Sequence, residues 1–183
     1  TKNGHINLNY IEETAKQIGA FLKESNKFIS IIIKSTVLPG TTDTLVKSTI
    51  EKYSGKKFGE FGLGMNPEFL REGNAVEDFM FPDRIVIGYD DNKTLTLLKK
   101  LYEPWDKCEK VYVNSRTAEM IKYANNTLLA VQISASNELA NIASSIDGVD
   151  YMEVLEGVKK DKRWSPILSK NERIYPQILD YLI

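Results

Sequence analysis

The 183-residue chain has a single cysteine, Cys108, and a single histidine, His5. One thiol excludes an internal disulfide framework and any multi-cysteine metal site. One imidazole excludes a zinc or iron centre built from several histidines of this chain, so no metal site is expected. Such sparse cysteine fits a soluble, cytoplasmic protein. Charge of one sign is also lacking: 24 Lys and Arg stand against 25 Asp and Glu, a net charge of −1. Nothing therefore draws the chain as a whole toward nucleic acid or an anionic membrane. Long apolar runs are missing too. The stretch Phe28 to Ile33 falls far short of the ~20 residues that cross a bilayer. Residues Thr1 to His5 lead into a polar-studded helical pattern rather than an apolar signal segment. At 42% hydrophobic and 27% charged, the chain still has enough apolar surface to offset its conformational entropy, which excludes a disordered or collagen-like protein.

Periodicity then divides the chain. From Asn9 to Glu24, Ile11, Ala15, Ile18, Phe21 and Leu22 recur at helical spacing. Phe28 to Ile33 is β-branched and continuous, as in a strand covered on both faces of a parallel sheet. Thr41, Thr42 and Asp43 offer N-cap oxygens to a helix reaching Tyr53. Short strands follow at Phe61–Met65 and Arg84–Gly88, a helix capped by Asp90-Asp91-Asn92 runs to Leu101, and Val111–Val113 is a last strand. Strands alternating with helices predict a parallel α/β sheet. Residues 117–147 then read as one long helix closed by Gly148, and a second helix spans Asp150 to Val158. The predicted fold is thus α/β, with domains at 1–114 and 115–183, the second all-helical. No Gly-x-Gly-x-x-Gly turn precedes the sheet, so the first domain reads as the later half of a doubly wound dinucleotide-binding domain.

Three segments have the makings of a site. Lys34 to Thr42 follows a buried strand, where open α/β sheets bind ligands, and its hydroxyls and amides suit an anionic or ribose-bearing group. A Ser/Thr-rich turn is the alternative. Asn66 to Gly73 also follows a strand. Asn66 reads as a cap and Pro67 as a first helical residue, which puts Glu68 and Glu72 one turn apart. A carboxylate there suits a general base toward water, though acids in a first turn also simply complement the helix dipole. On the long helix, Lys122, Asn126, Asn137 and Asn141 form a polar stripe that could face a cleft, where an ammonium steadies an oxyanion, or could be a solvated face. Cys108 has no histidine beside it to activate it and reads as a passive side chain. Lys159, Lys160, Lys162, Arg163 and Arg173 make a basic tail.

Four segments together resemble the UDP-glucose/GDP-mannose dehydrogenase family. They are Lys34-Ser-Thr-Val-Leu-Pro-Gly-Thr-Thr42, Asn66-Pro-Glu-Phe-Leu-Arg-Glu-Gly73, Asp83-Arg-Ile-Val-Ile-Gly88 and Ala118-Glu-Met-Ile-Lys-Tyr-Ala-Asn-Asn126, in the family's order. The resemblance implies oxidation of a nucleotide sugar's C6 alcohol to the carboxylate in two steps with two NAD+, through a thioester on a cysteine. It assigns catalytic roles to Glu68, general base for hydrolysis, to Lys122, which steadies oxyanions at C6, and to Asn126, a substrate-binding amide. It puts Ser35, Thr36, Val37 and Glu72 against NAD, and the backbone of Phe69, Leu70 and Arg71 around the sugar. Asp83 to Gly88 looks more like the UDP-sugar branch than the GDP-mannose branch. The family's cysteine motif, Gly-Gly-Ser-Cys-Phe-like, is absent, as is its glycine-rich loop, so the chain reads as an internal fragment without turnover by itself. The family also implies a homodimer through the long helix. Two other readings remain: a hydroxyacid-type NAD-linked dehydrogenase, and a non-catalytic helical interaction module.

Overall fold

The structure is a computed structural model that describes residues 6–161. His5 and the basic tail beyond Asp161 lie outside the described residues. The chain divides into two compact units, Thr1–Ala124 and Asn125–Ile183. In the first, α1 (Asn9–Lys23) leads to β1 (Ser30–Ile33), then a π turn (Thr42–Val46) that runs into α2 (Lys47–Ser54). β2 (Gly62–Met65), α3 (Ala75–Met80), β3 (Arg84–Tyr89), α4 (Asn92–Leu101) and β4 (Glu109–Val113) follow. The long helix α5 (Ser115–Ser144) begins in the first unit and ends in the second, which also holds α6 (Tyr151–Lys159).

The sheet has the order β1-β2-β3-β4, and alternation along each strand decides which helix covers which face. Ile31 and Leu63 join Ala15, Leu22, Val46, Ile50 and Phe61 in a core beneath α1 and α2. Ile85 and Ile87 face the other way, with Leu98 and Tyr102 of the α4 segment. Val86, between them, packs with Met65 and Ala118 of α5. Leu22, Ile50, Phe61 and Leu63 are essentially shut off from solvent, and burial of each such side chain stabilises by about 1.5–3 kcal/mol.

Two sequence expectations need correction here. β1–β2 and β3–β4 pair in parallel, but β2 and β3 are antiparallel, with Gly64 opposite Tyr89 and Met65 opposite Gly88. The sheet is therefore mixed. The connection from β2 to β3 holds only the six-residue α3, with no helix long enough to carry the chain back across the sheet to a parallel start. Second, Asn66 and Pro67 do not open a helix: residues 66–71 are irregular and α3 starts at Ala75. Asn66 is not a cap because its side chain is buried sideways, donating from Nδ2 to the Val86 carbonyl at 2.8 Å.

The cap expected at Asp90-Asp91-Asn92 is Asp91, and Asn114 and Asp150 supply two more. Asp91 accepts from the Thr94 amide at 2.8 Å to open α4, Asn114 accepts from the Thr117 amide at 2.7 Å to open α5, and Asp150 accepts from Met152 at 2.7 Å to open α6. Gly88 sets how closely α5 approaches the sheet. A Cβ there would stand 2.7 Å from the Ala118 Cβ and 2.9 Å from the Ser115 Cα. Only glycine leaves room for this crossing.

Candidate active site

The parallel pair β1–β2 delivers two loops side by side at the carboxyl ends of its strands. Asn66 is the junction between them. Its amide donates to the Ile33 carbonyl at 2.9 Å, and its Oδ1 accepts from Lys34 Nζ at 2.6 Å and from the Tyr102 hydroxyl. With Nδ2 on Val86, this buried side chain ties β1, β3 and the end of α4 to one point. Burial of the amine pushes Lys34 below the ordinary lysine value, and the nearby Glu68 carboxylate partly opposes that.

Two residues past this anchor, Glu68 meets α5. Its Oε1 lies 3.2 Å from Lys122 Nζ, and its Oε2 accepts from the Leu70 amide at 2.7 Å. Lys122 is only 6% exposed, so its ammonium is held in a largely water-free place where a paired charge counts for more than on the surface. The Phe69 ring contacts two cations, its centroid 5.2 Å from Lys122 Nζ and 4.2 Å from the Arg84 guanidinium carbon. Arg71 is committed to Asp78. Its Nε stands 3.1 Å from both carboxylate oxygens and its Nη2 2.6 Å from Oδ1, and its amide donates to Oδ2 at 2.7 Å. The guanidinium accordingly holds Asp78 below the usual carboxylate range.

The structure thus brings Glu68, Phe69 and Lys122 together, with Leu70 supplying an amide to the carboxylate. The Leu70 and Arg71 amides, expected to face a sugar, already serve Glu68 and Asp78. Ser35 and Thr36 are exposed at the end of β1, and their hydroxyls make no hydrogen bond among the described residues. Val37 is a core residue at 1% exposure, so only its backbone is available to a ligand. Glu72 is exposed in the turn before α3. Asn126 belongs to the second unit, exposed on α5 one turn beyond Lys122, as are Asn137 and Asn141 further along.

Glu119 went unnoticed in the sequence. It is fully buried, and its carboxylate accepts from the Gly40 amide at 2.5 Å, the Thr42 amide at 2.8 Å and the Thr42 hydroxyl at 2.6 Å. The helix entry expected to offer free amides to a ligand is therefore filled from within, because a carboxylate complements the positive end of a helix. Thr41 is not a cap either: its hydroxyl donates to the Leu38 carbonyl at 2.6 Å. A fixed charge three residues before Lys122 was visible in the sequence, but its partner sits 77 positions away, beyond any local spacing rule. Cys108 donates its thiol to the Pro82 carbonyl at 3.2 Å, and burial raises it above the ordinary thiol value. Among the described residues, no cluster of three or more His, Cys, Asp or Glu could hold a metal, and no helix is long and apolar enough to cross a membrane.

Comparison with known proteins places this geometry. Residues 1–106 match the model of the UDP-glucose/GDP-mannose dehydrogenase family, NAD binding domain, and residues 116–175 match the central domain of the same family. The chain belongs to the UDP-glucose/GDP-mannose dehydrogenase family. It is 41% identical over 163 residues to the GDP-mannose 6-dehydrogenase of Pseudomonas aeruginosa, covering 88% of this chain and 37% of that one. To the UDP-glucose 6-dehydrogenase of Haloferax volcanii it is 40% identical over 168 residues, covering 89% and 39%. Among solved structures it resembles a ternary complex of the Pseudomonas aeruginosa GDP-mannose dehydrogenase with a TM-score of 0.84 at 41% identity, covering 89% of this chain and 37% of that one. A UDP-glucose dehydrogenase from Pyrobaculum islandicum gives 0.83 at 40% identity with the same coverage. The chain spans a little over a third of the length of these relatives. NAD is the cofactor of the family's matched first domain.

Proposed function

We propose that this chain carries the cofactor loop and the carboxylate–ammonium pair of an enzyme that oxidises the C6 alcohol of a nucleotide sugar to the uronic acid, with NAD as acceptor. The observation that carries the reading is the 3.2 Å contact between Glu68 and Lys122. The donor set of the 34–42 loop fits a dinucleotide: Ser35 and Thr36 present exposed hydroxyls at a strand's carboxyl end, with the Val37 backbone behind them and Glu72 beside the second loop. NAD, when bound, supplies the hydride acceptor.

The chain's own residues do the rest. Lys122 holds positive charge where an oxygen at C6 gains negative charge, and a fixed cation in a dry site stabilises such a centre by several kcal/mol. Glu68, aimed by Lys122 and the Leu70 amide, is the group to accept a proton from an attacking water. Phe69 and Arg84 form a cation–aromatic wall beside Lys122, with Leu70 and Arg71 continuing it. Asp83–Gly88, the basis for favouring a UDP-sugar, forms β3, and Ile85 to Gly88 are buried in the sheet. That segment bears on packing rather than on base recognition, and relatives of both substrate kinds are similarly close, at 41% and 40% identity. The proposed substrate is accordingly a nucleotide sugar.

We place the domain boundary at 114/115, where Asn114 caps α5. Exposed Leu128, Leu129, Val131, Leu139 and Ile142 on α5 support self-association through that helix. The 183 residues alone should not turn over, since the single thiol, Cys108, is half-buried against Pro82 and unactivated. The test is an NMR titration of the isotopically labelled chain with NAD, UDP-glucose and GDP-mannose, alongside absorbance at 340 nm. NAD should move the Ser35 and Thr36 amide signals, and a nucleotide sugar those of Phe69 to Arg71 and Lys122, without NADH formation. No response to any of the three at millimolar concentration sinks the reading.

A further inference from the structure

From the burial and bonding of Glu119 we infer that it is a positioning residue, which holds the 34–42 loop in register with the helix face that carries Lys122. The inference rests on the proposed role of that loop in binding NAD. Glu119 and Lys122 are three residues apart on α5 and so share one face. The first reaches down to Gly40 and Thr42 through three donors, and the second reaches Glu68. One turn of one helix thus fixes both strand-end loops. The loop is anchored at its start by Lys34 on Asn66 and in its middle by buried Val37, while Ser35, Thr36, Leu38 and Pro39 are exposed, so its far end depends on Glu119. Gly40 bends the chain at φ 94°, a value that side-chain-bearing residues avoid, and this aims its N–H at the carboxylate. Arg116 adds a second strap from α5 to the same segment, pairing with Asp43 at 2.7 Å.

A carboxylate accepts from all three donors at once. A glutamine of the same shape has one acceptor oxygen and an NH2 that would face an N–H, so Glu119→Gln should loosen the loop without opening a cavity. The experiment follows NAD titrations by the Ser35 and Thr36 amide signals in the wild-type chain, Glu119→Gln, Glu119→Asp and Thr42→Ala. Amide exchange at Gly40 and Thr42 reports the loop, and circular dichroism reports the fold. In folded Glu119→Gln, NAD should bind about tenfold more weakly, the loss of one charge-assisted hydrogen bond. Glu119→Asp, which keeps the charge, should recover part of that loss. A folded Glu119→Gln chain that binds NAD within twofold of wild type overturns the inference and makes Glu119 a packing residue. If Glu119→Gln does not fold, Thr42→Ala decides: NAD binding weakened by about threefold supports the inference, and unchanged binding overturns it. A wild-type chain that shows no NAD response removes the cofactor reading itself, and the inference with it.

Discussion

Replacing Gly88 with alanine tests how the first turns of α5 are seated. A Cβ at this position would meet the Ala118 Cβ at 2.7 Å, the Met65 carbonyl oxygen at 2.9 Å and the Ser115 Cα at 2.9 Å. Ordinary carbon contacts lie at about 3.5–4.0 Å, so α5 would have to withdraw by roughly 1 Å. Two of the three neighbours are backbone atoms, one in the sheet and one in the helix, and neither can turn aside. Overpacking of this kind costs about 1–3 kcal/mol, a large part of a typical net stability of about 5–15 kcal/mol. Urea unfolding of Gly88→Ala should therefore show a lower midpoint with an unchanged slope. Because Lys122 rides on the same helix, its pairing with Glu68 should weaken too. Gly157→Ala is the control: no atom lies within 4 Å of a Cβ there, and the exposed position in α6 should gain up to about 1 kcal/mol from better helix propensity. If Gly88→Ala stays within about 0.5 kcal/mol of wild type, α5 is not seated on the glycine and the reasoning fails.

The remaining predictions concern two titrating groups. Arg71 lowers the folded carboxyl of Asp78 below its ordinary value of 3.8. Its stabilising contribution is therefore complete above pH 3.8 and disappears as pH falls through the lowered folded value. Asp78→Asn should flatten that acid limb in urea midpoints measured from about pH 5 down to about pH 2, the span below the ordinary carboxylate value in which a lowered carboxyl titrates, and an unaltered limb would count against the pair. Burial, reinforced by Asp83 and Glu109 and opposed by Lys110, raises Cys108 above 9.0. Its iodoacetamide alkylation should thus still be accelerating at about pH 9, whereas a rate that levels off near neutrality would show an activated thiol.

Much of the fold was legible because it depends on local periodicity and caps. The β-branched run through Ile33 became β1 with both faces covered, Asp91 capped the helix it precedes, and the last two helices began beside Asn114 and Asp150. Long-range satisfaction of polar groups was not legible. Asn66 looked like a cap by sequence, yet its amide is claimed by Val86, 20 residues on, and the same return of chain makes β2–β3 antiparallel. The start of the helix after β1 looked open to ligand, but Glu119 fills it across 77 positions. Glu68 and Lys122 stood out only through their resemblance to a known family. Local physics alone gave an acid near a helix start and a lysine in a helical stripe, and only the fold brings them together.

The most direct test of the account is whether Glu68 and Lys122 form one centre. At 3.2 Å, with the Lys122 side chain 8% and the Glu68 side chain 37% exposed, their coupling should be about 1–2 kcal/mol in low salt. A double-mutant cycle of Glu68→Gln and Lys122→Met, read by urea unfolding, measures that term directly. The account predicts a favourable coupling near 1 kcal/mol that shrinks in about 1 M salt. Additivity within about 0.3 kcal/mol at low salt would contradict it.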